Sequence, residues 1–295
     1  MALKGKKPDA IKKRLKVLFY GPPNSGKTTA ALQFPRPYVI DTERGAENEQ
    51  YVRLMNESGA AYFPSTDADE IIAEVTSLLT TKHDYRTLVI DPLTVIYNDL
   101  CDKSADRNGT EFGRHKVEAD RKIKHLLTLL LRLDMNVIIT SHAKDKWVRT
   151  KDAKGKEVVV QEGTTFDCYG KLDYLFDLVI RLEKRGKERV GVVAKTRLDA
   201  FPEGDVFPFT YDQIADRYGR DVLEADAKPQ SLVTKENAAL LRKLIKVVSI
   251  SEETVSKWLS KADSDSIEEL PADVAEKCIA HCKEKVETQT VEPVS

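Results

Sequence analysis

The segment Gly21–Thr28, GPPNSGKT, constrains this chain more than any other. It fits the pattern G-x-x-x-x-G-K-S/T and stands between an apolar run, Leu15–Tyr20 (LKVLFY), and a helical stretch, Lys27–Gln33. Pro22 and Pro23 lack N–H groups and stiffen the entry to the loop. Asn24, Ser25, Gly26, Lys27 and Thr28 then offer five successive backbone donors where a helix begins, a cradle for phosphate oxygens. Lys27 is expected to reach the β- and γ-phosphates and the Thr28 hydroxyl to hold Mg²⁺, with Gly21 and Thr29 completing the contacts. The nucleotide expected is ATP with Mg²⁺. A glycine-rich turn without a ligand is the bland alternative, and the strand–loop–helix context argues against it.

Three further apolar runs end in polar groups. TLVID (Thr87–Asp91) sets Asp91 at the carboxyl end of a buried strand, where a Mg²⁺-associated carboxylate beside a phosphate loop belongs. PYVID (Pro37–Asp41) is followed by Glu43, a candidate to orient or deprotonate the attacking water, with Asp41 as a weaker candidate for support. NVIIT (Asn136–Thr140) ends in Thr140 and is followed by Ser141 and His142, polar groups that a strand end can aim at the γ-phosphate. Near-continuous apolar runs alternating with helical periods (Lys27–Gln33, Asp69–Thr80, Glu111–Leu133) predict an α/β fold with a mostly parallel sheet flanked by helices.

Beyond Ser141 the texture changes. Lys146–Gln161 reads as two short strands about an Asp-Ala-Lys-Gly turn, with six basic residues from Lys144 to Lys156. Tyr174–Lys184 and Glu188–Arg197 flank a KRGK turn, so the sheet is expected to end in antiparallel strands. Lys195 and Arg197, two apart on that last strand, share a face. From Ser231 three helices are expected: Thr234–Val247, one capped by Ser251 and carrying Trp258, and one opened by Pro271. The predicted organisation is a basic arm (1–14), an ATPase core (15–226), a small helical domain (231–286) and a polar, disordered tail (287–295). Cys278, His281 and Cys282 lack a fourth ligand for a closed zinc site and read as helix-core residues.

With 47 Lys+Arg against 48 Asp+Glu, the net charge of −1 excludes a globally basic nucleic-acid binder but leaves room for local basic loops. A hydrophobic fraction of 41% excludes disorder throughout. No apolar run approaches the ~20 residues of a membrane helix. The basic N-terminus lacks the apolar core of a signal peptide, and four cysteines in 295 residues make no disulfide framework. A soluble, reduced, cytoplasmic protein is expected.

Taken together, these residues resemble the RecA/RadA recombinase superfamily over roughly Leu15–Tyr218. VIDTERG looks like the strand end that bears the catalytic glutamate, which falls on Glu43. Arg107–His142 looks like the first DNA-binding loop, the next helix and the phosphate-sensing strand, with Ser141-His142 where that superfamily usually has Asn-Gln or Ser-Gln. AKTR (Ala194–Arg197) is similar to the Lys-x-Arg of replicative helicases, which acts on the adjacent subunit's nucleotide. The compact plan looks most like phage-encoded RecA-like ATPases of single-strand annealing and recombination, which would place the chain in a bacterial host cytoplasm.

The resemblance implies a homo-oligomeric ring or filament around single-stranded DNA, with a single-strand-binding protein as a candidate partner. It implies two DNA-facing loops. One carries Lys103, Arg107, Phe112 and Arg114; the other carries Lys144, Lys146, Trp147, Arg149, Lys151, Lys154 and Lys156. Lysines meet phosphates while Trp147 or Phe112 stacks a base. Two alternatives stay open. One is a replicative-type helicase or helicase loader. The other is a P-loop switch or kinase that never touches DNA, although no convincing kinase lid is evident.

Overall fold

The computed structural model describes residues 13–152 and 154–291. Most of the expected basic arm therefore lies outside the described residues. Of the expected tail, 287–291 continue the last helix and 292–295 lie outside the described residues.

Among the described residues nine strands form one sheet: β1 (Lys16–Gly21), β2 (Pro37–Asp41), β3 (Ala61–Pro64), β4 (Thr87–Asp91), β5 (Asn136–Lys151), β6 (Glu157–Phe166), β7 (Leu178–Arg185), β8 (Glu188–Thr196) and β9 (Val206–Pro208). The helices are α1 (Lys27–Leu32), α2 (Glu49–Ser58), α3 (Ala68–Thr80), α4 (Leu93–Asn108), α5 (Arg114–Arg132), α6 (Tyr211–Tyr218), α7 (Arg220–Leu223), α8 (Lys235–Val247), α9 (Glu252–Lys261) and α10 (Ala272–Val291). The strand order is β3-β2-β4-β5-β1-β7-β8-β9, with β6 paired only to β5. Pairing is parallel from β3 through to β7 and antiparallel at β7–β8–β9. This is the α/β architecture expected from the sequence, including the antiparallel edge.

Two compact units emerge. The first takes the chain up to Thr66, Asp84–Lys103 and Met135–Ala227, and holds the sheet. Every residue of β1 is buried, as a strand covered on both faces requires. Its core joins Val17 and Phe19 of β1 to Ala30, Ala31 and Leu32 of α1, Met55 of α2, Ile214 and Ala215 of α6 and Leu223 of α7. Phe19 lies edge-on to Phe209 with ring centroids 5.1 Å apart.

The second unit takes Asp67–His83, Ser104–Asp134 and the chain from Lys228 onward. Asp67 caps α3 by accepting from the Asp69 and Glu70 amides at 2.9 and 3.1 Å. Thr234 caps α8 and Ser251 caps α9 in the same way. Leu241, Leu270, Ala275, Cys278, Ile279 and Cys282 form a core of their own, against which Trp258 packs. Both cysteines are free thiols there. Arg132 of α5 ties these helices in, donating to Gln230 Oε1 at 2.8 Å and to the Glu269 carbonyl at 2.9 Å.

Two departures from the sequence reading bear on function. The run Asn136–Thr140 and the following basic strand are one continuous 16-residue strand, β5, buried over its first six residues and mostly exposed beyond. The second basic segment is thus a β5–β6 hairpin. The first basic segment is largely helix: Lys103 and Arg107 lie on α4, and only Gly109–Gly113 interrupts before α5.

Candidate functional site

The loop after β1 folds as its glycines demand. Asn24 and Gly26 take left-handed conformations, φ 62° and 93°, which glycine tolerates at Gly26 without penalty. Lys27 turns back over the loop, its Nζ donating to the Gly21 and Pro22 carbonyls at 3.0 and 3.1 Å. Burial pushes its pKa down, against the pull of Asp91 and Glu43. Ser25 is buried, and its hydroxyl oxygen has no hydrogen-bond partner. A buried hydroxyl without a partner and an ammonium held on loop carbonyls are groups suited to phosphate oxygens.

Strand order sets the acidic wall. Because β5 lies between β1 and β4, its end stands beside both the phosphate loop and Asp91. Thr28 Oγ1 donates to Asp91 Oδ2 at 2.6 Å, and Thr140 Oγ1 donates to Asp91 Oδ1. Burial raises the Asp91 pKa, while the hydrogen bonds from Thr140 and Thr28 oppose that rise. A carboxylate bridging Thr28 in this way is the donor set a divalent cation would share, so the residues present fit Mg²⁺.

Asp41 ends β2 and accepts from the Glu43 and Gly45 amides, both at 3.2 Å, closing the turn that presents Glu43. Glu43 is half exposed, and its carboxylate lies 3.1 Å from His142 Nε2. The His142 backbone amide donates to Thr94 Oγ1 at 3.0 Å. Thr140, His142, Glu43, Asp91, Thr28 and Lys27 are therefore joined through direct contacts or through mutual electrostatic influence.

Ser141 departs from this set. Successive strand residues face opposite ways, so its hydroxyl points away from the Thr140 side. It is buried, lies 3.0 Å from Thr94 Oγ1 and accepts from the Asp167 amide at 3.1 Å. The polar group aimed at Asp91 is Thr140 instead.

Lys195 and Arg197 both turn onto the segment before β7. Lys195 Nζ donates to the Phe176 carbonyl, and Arg197 Nη2 donates to the Tyr174 carbonyl at 2.7 Å. β8 ends at Thr196, so Arg197 stands just beyond the strand. Burial lowers the Lys195 pKa, with neighbouring Arg197 adding to the effect.

The basic segments divide by how their charges are used. Lys144 pairs with Asp167 at 3.0 Å and Lys146 with Glu162 at 2.7 Å. Past an irregularity between Asp145 and Trp147, the hairpin register sets Trp147, Arg149 and Lys151 opposite Gln161, Val159 and Glu157. Trp147 and Val159 are 61% and 60% exposed, and Arg149, Lys151, Lys154 and Lys156 are exposed with them. Elsewhere, Lys103 pairs with Asp99 at 2.8 Å and Arg107 with Glu118 at 2.8 Å. Phe112 sits at φ 52° with 99% of its surface exposed, and Arg114 lines a shallow pocket with Val117 and Arg121.

A polar cleft of about 380 Å³ opens on the phosphate loop, lined by Asn24, Gly26, Lys27, Thr28, Thr29, Gln50, Tyr51, Lys184 and Arg189. Gln50, Tyr51, Lys184 and Arg189 went unremarked in the sequence. Nothing in their spacing marks them: the packing of α2 brings Gln50 and Tyr51 to the loop, and the sheet order brings Lys184 and Arg189 of the β7–β8 hairpin.

Among the described residues no helix is long and apolar enough to cross a membrane. No curated protein matches the chain significantly. The family model described as an AAA domain matches residues 13–200, which include the phosphate loop, Glu43, Asp91 and Thr140. That match spans well over half of the 295 residues, so the chain belongs to the AAA domain family and is a P-loop ATPase.

Proposed function

We propose that this ATPase is a RecA-like, ATP-dependent single-stranded-DNA-binding protein of recombination or strand annealing, working as a homo-oligomer with ATP at the cleft beside Lys27. The observation that carries the reading is β5. One strand holds Thr140 on Asp91 at its buried end and presents Trp147, Arg149 and Lys151 on one face of an exposed hairpin. An aromatic ring interleaved with cations suits unpaired bases and their phosphates.

The residues divide the hydrolytic work. Loop amides and Lys27 bind the triphosphate, with Lys27 exchanging its loop carbonyls for phosphate oxygens. Thr28 and Asp91 would hold Mg²⁺, which when bound neutralises developing charge on the phosphates. Glu43 accepts the proton of the attacking water, and His142 holds the Glu43 carboxylate in place until then. In the assembled state Lys195 and Arg197 leave the backbone carbonyls of residues 174–176 and complete a neighbouring subunit's site, the arginine-finger role.

Titration of the full chain with labelled single-stranded oligonucleotide, with and without ATP, tests the reading. Binding that falls steeply with salt, with turnover stimulated by the oligonucleotide, is expected. No binding in either state would leave a P-loop switch or kinase in its place, and directional strand displacement would make the protein a motor.

A further inference from the structure

We propose that Lys184 and Arg189, from the β7–β8 hairpin of the same chain, clamp the α- and β-phosphates of the nucleotide. The inference rests on the reading that the cleft beside Lys27 binds ATP, and it adds two residues to that site.

Three observations converge. First, Lys184 and Arg189 are directly opposed in the antiparallel register of β7 and β8. Like charges facing each other across a strand pair destabilise it, unless an anion lies between them. Second, the other two arginines of this hairpin already have a carboxylate partner. Arg181 and Arg185 both pair with Glu183, at 2.6 and 3.0 Å. Among the described residues no ion pair involves Lys184 or Arg189. Third, Arg189 lies on the phosphate loop itself: a Cβ built on Gly26 would collide with its Nε and Cδ. Gly26 therefore admits a guanidinium against the loop backbone as well as supplying a left-handed turn.

The cleft composition locates the clamp along the nucleotide. Lys184 and Arg189 share it with Asn24, Gly26, Lys27, Thr28 and Thr29, and no acidic residue lines it. Asp91, Glu43 and Thr140 are not part of its lining, whereas Lys27 and Thr28, which reach the γ-phosphate and metal end, are, so the cleft runs from that end towards Lys184 and Arg189. Three cations without an acid suit the phosphates that ADP and ATP have in common. A guanidinium adds fixed, charge-assisted hydrogen bonds to such oxygens.

Fluorescent ADP and ATP are titrated into the full-length protein and into R189A, K184A, R189K and K27A, with thermal melting as the check of folding; both target side chains are exposed. R189A is expected to weaken ADP and ATP by the same factor, roughly 10-fold or more, as expected for loss of a hydrogen bond to a charged group. R189K recovers part of that loss, and K184A loses less than R189A. Equal mixtures of R189A with K27A stay weak, because each intact site needs its own arginine. Restoration in the mixture would make Arg189 a residue donated between subunits and overturn the clamp. Loss confined to ATP, or no loss in folded R189A and K184A while K27A fails to bind, would also overturn it and leave the ATP site standing. Failure of the unmodified protein to bind either nucleotide would remove the site and the clamp together.

Discussion

The two ends of β5 differ in how far their side chains are already committed. At the buried end Thr140 is committed to Asp91, Asp91 also to Thr28, and Ser141 to Thr94 and Asp167. At the exposed end Trp147, Arg149 and Lys151 stand on an open hairpin face, while Lys144 and Lys146 are held by Asp167 and Glu162. Catalysis needs groups already fixed before the substrate arrives. A surface that takes any base needs groups with little prior commitment. On the proposed function a single strand serves both.

The sharpest way to break the comparison is beside the fixed end, at the carboxylate that His142 of β5 meets. Glu43→Gln should slow ATP turnover by roughly 10²–10⁴-fold, the range for loss of a general base, while nucleotide binding persists. Steady-state turnover beside a binding titration measures both, and normal turnover would remove Glu43 from the role. Next in size, the fully buried Ile138 should cost about 2–5 kcal/mol of stability when cut to alanine. The exposed Val159 should cost within about 0.5 kcal/mol. Equal losses in chemical denaturation would mean that the hairpin is packed as tightly as the core.

At the free end, Trp147→Ala should weaken single-strand binding by roughly 1–3 kcal/mol if the ring stacks a base. Arg149→Ala should flatten the salt dependence by about one phosphate contact, a log–log slope change of roughly 0.7. Lys146→Ala should do less, since it gives up its pair with Glu162. A larger effect at Lys146 than at Arg149 would reverse the assignment of the binding face.

The smallest effect belongs to the second unit. His125 Nε2 lies 2.7 Å from Glu269, and that hydrogen bond raises the His125 pKa above its ordinary 6.5 despite partial burial. The folded state holds the proton more tightly than the unfolded chain. Its stabilisation is therefore complete below about pH 6.5 and is lost as pH rises through the raised value. Melting followed from pH 6 to pH 9 should show this decline, and His125→Gln should remove it.

Much of this was legible because backbone geometry writes itself into residue type. The glycine-lysine loop, the apolar runs and the aspartates that end them mark the sheet and its phosphate site wherever they occur, and Ser251 does the same for a helix start. What escaped depends on contacts far apart in sequence. Arg189 stands 163 positions beyond Gly26 and reaches it only through the order β1-β7-β8. Thr140 and Ser141 are equivalent as letters, and strand parity decides which one meets Asp91. The break expected between Thr140 and Lys146 is absent because residues 141–145 carry strand pairing from the sheet into the hairpin.

That continuity has a mechanical meaning. From Thr140 to Trp147 the chain is seven residues of extended backbone, about 23 Å at the usual rise per residue. An irregularity in its hairpin pairing lies between Asp145 and Trp147. Tension on a polymer gripped at the tip would be transmitted along peptide bonds, with no slack loop to absorb it, to the hydroxyl that steadies Asp91.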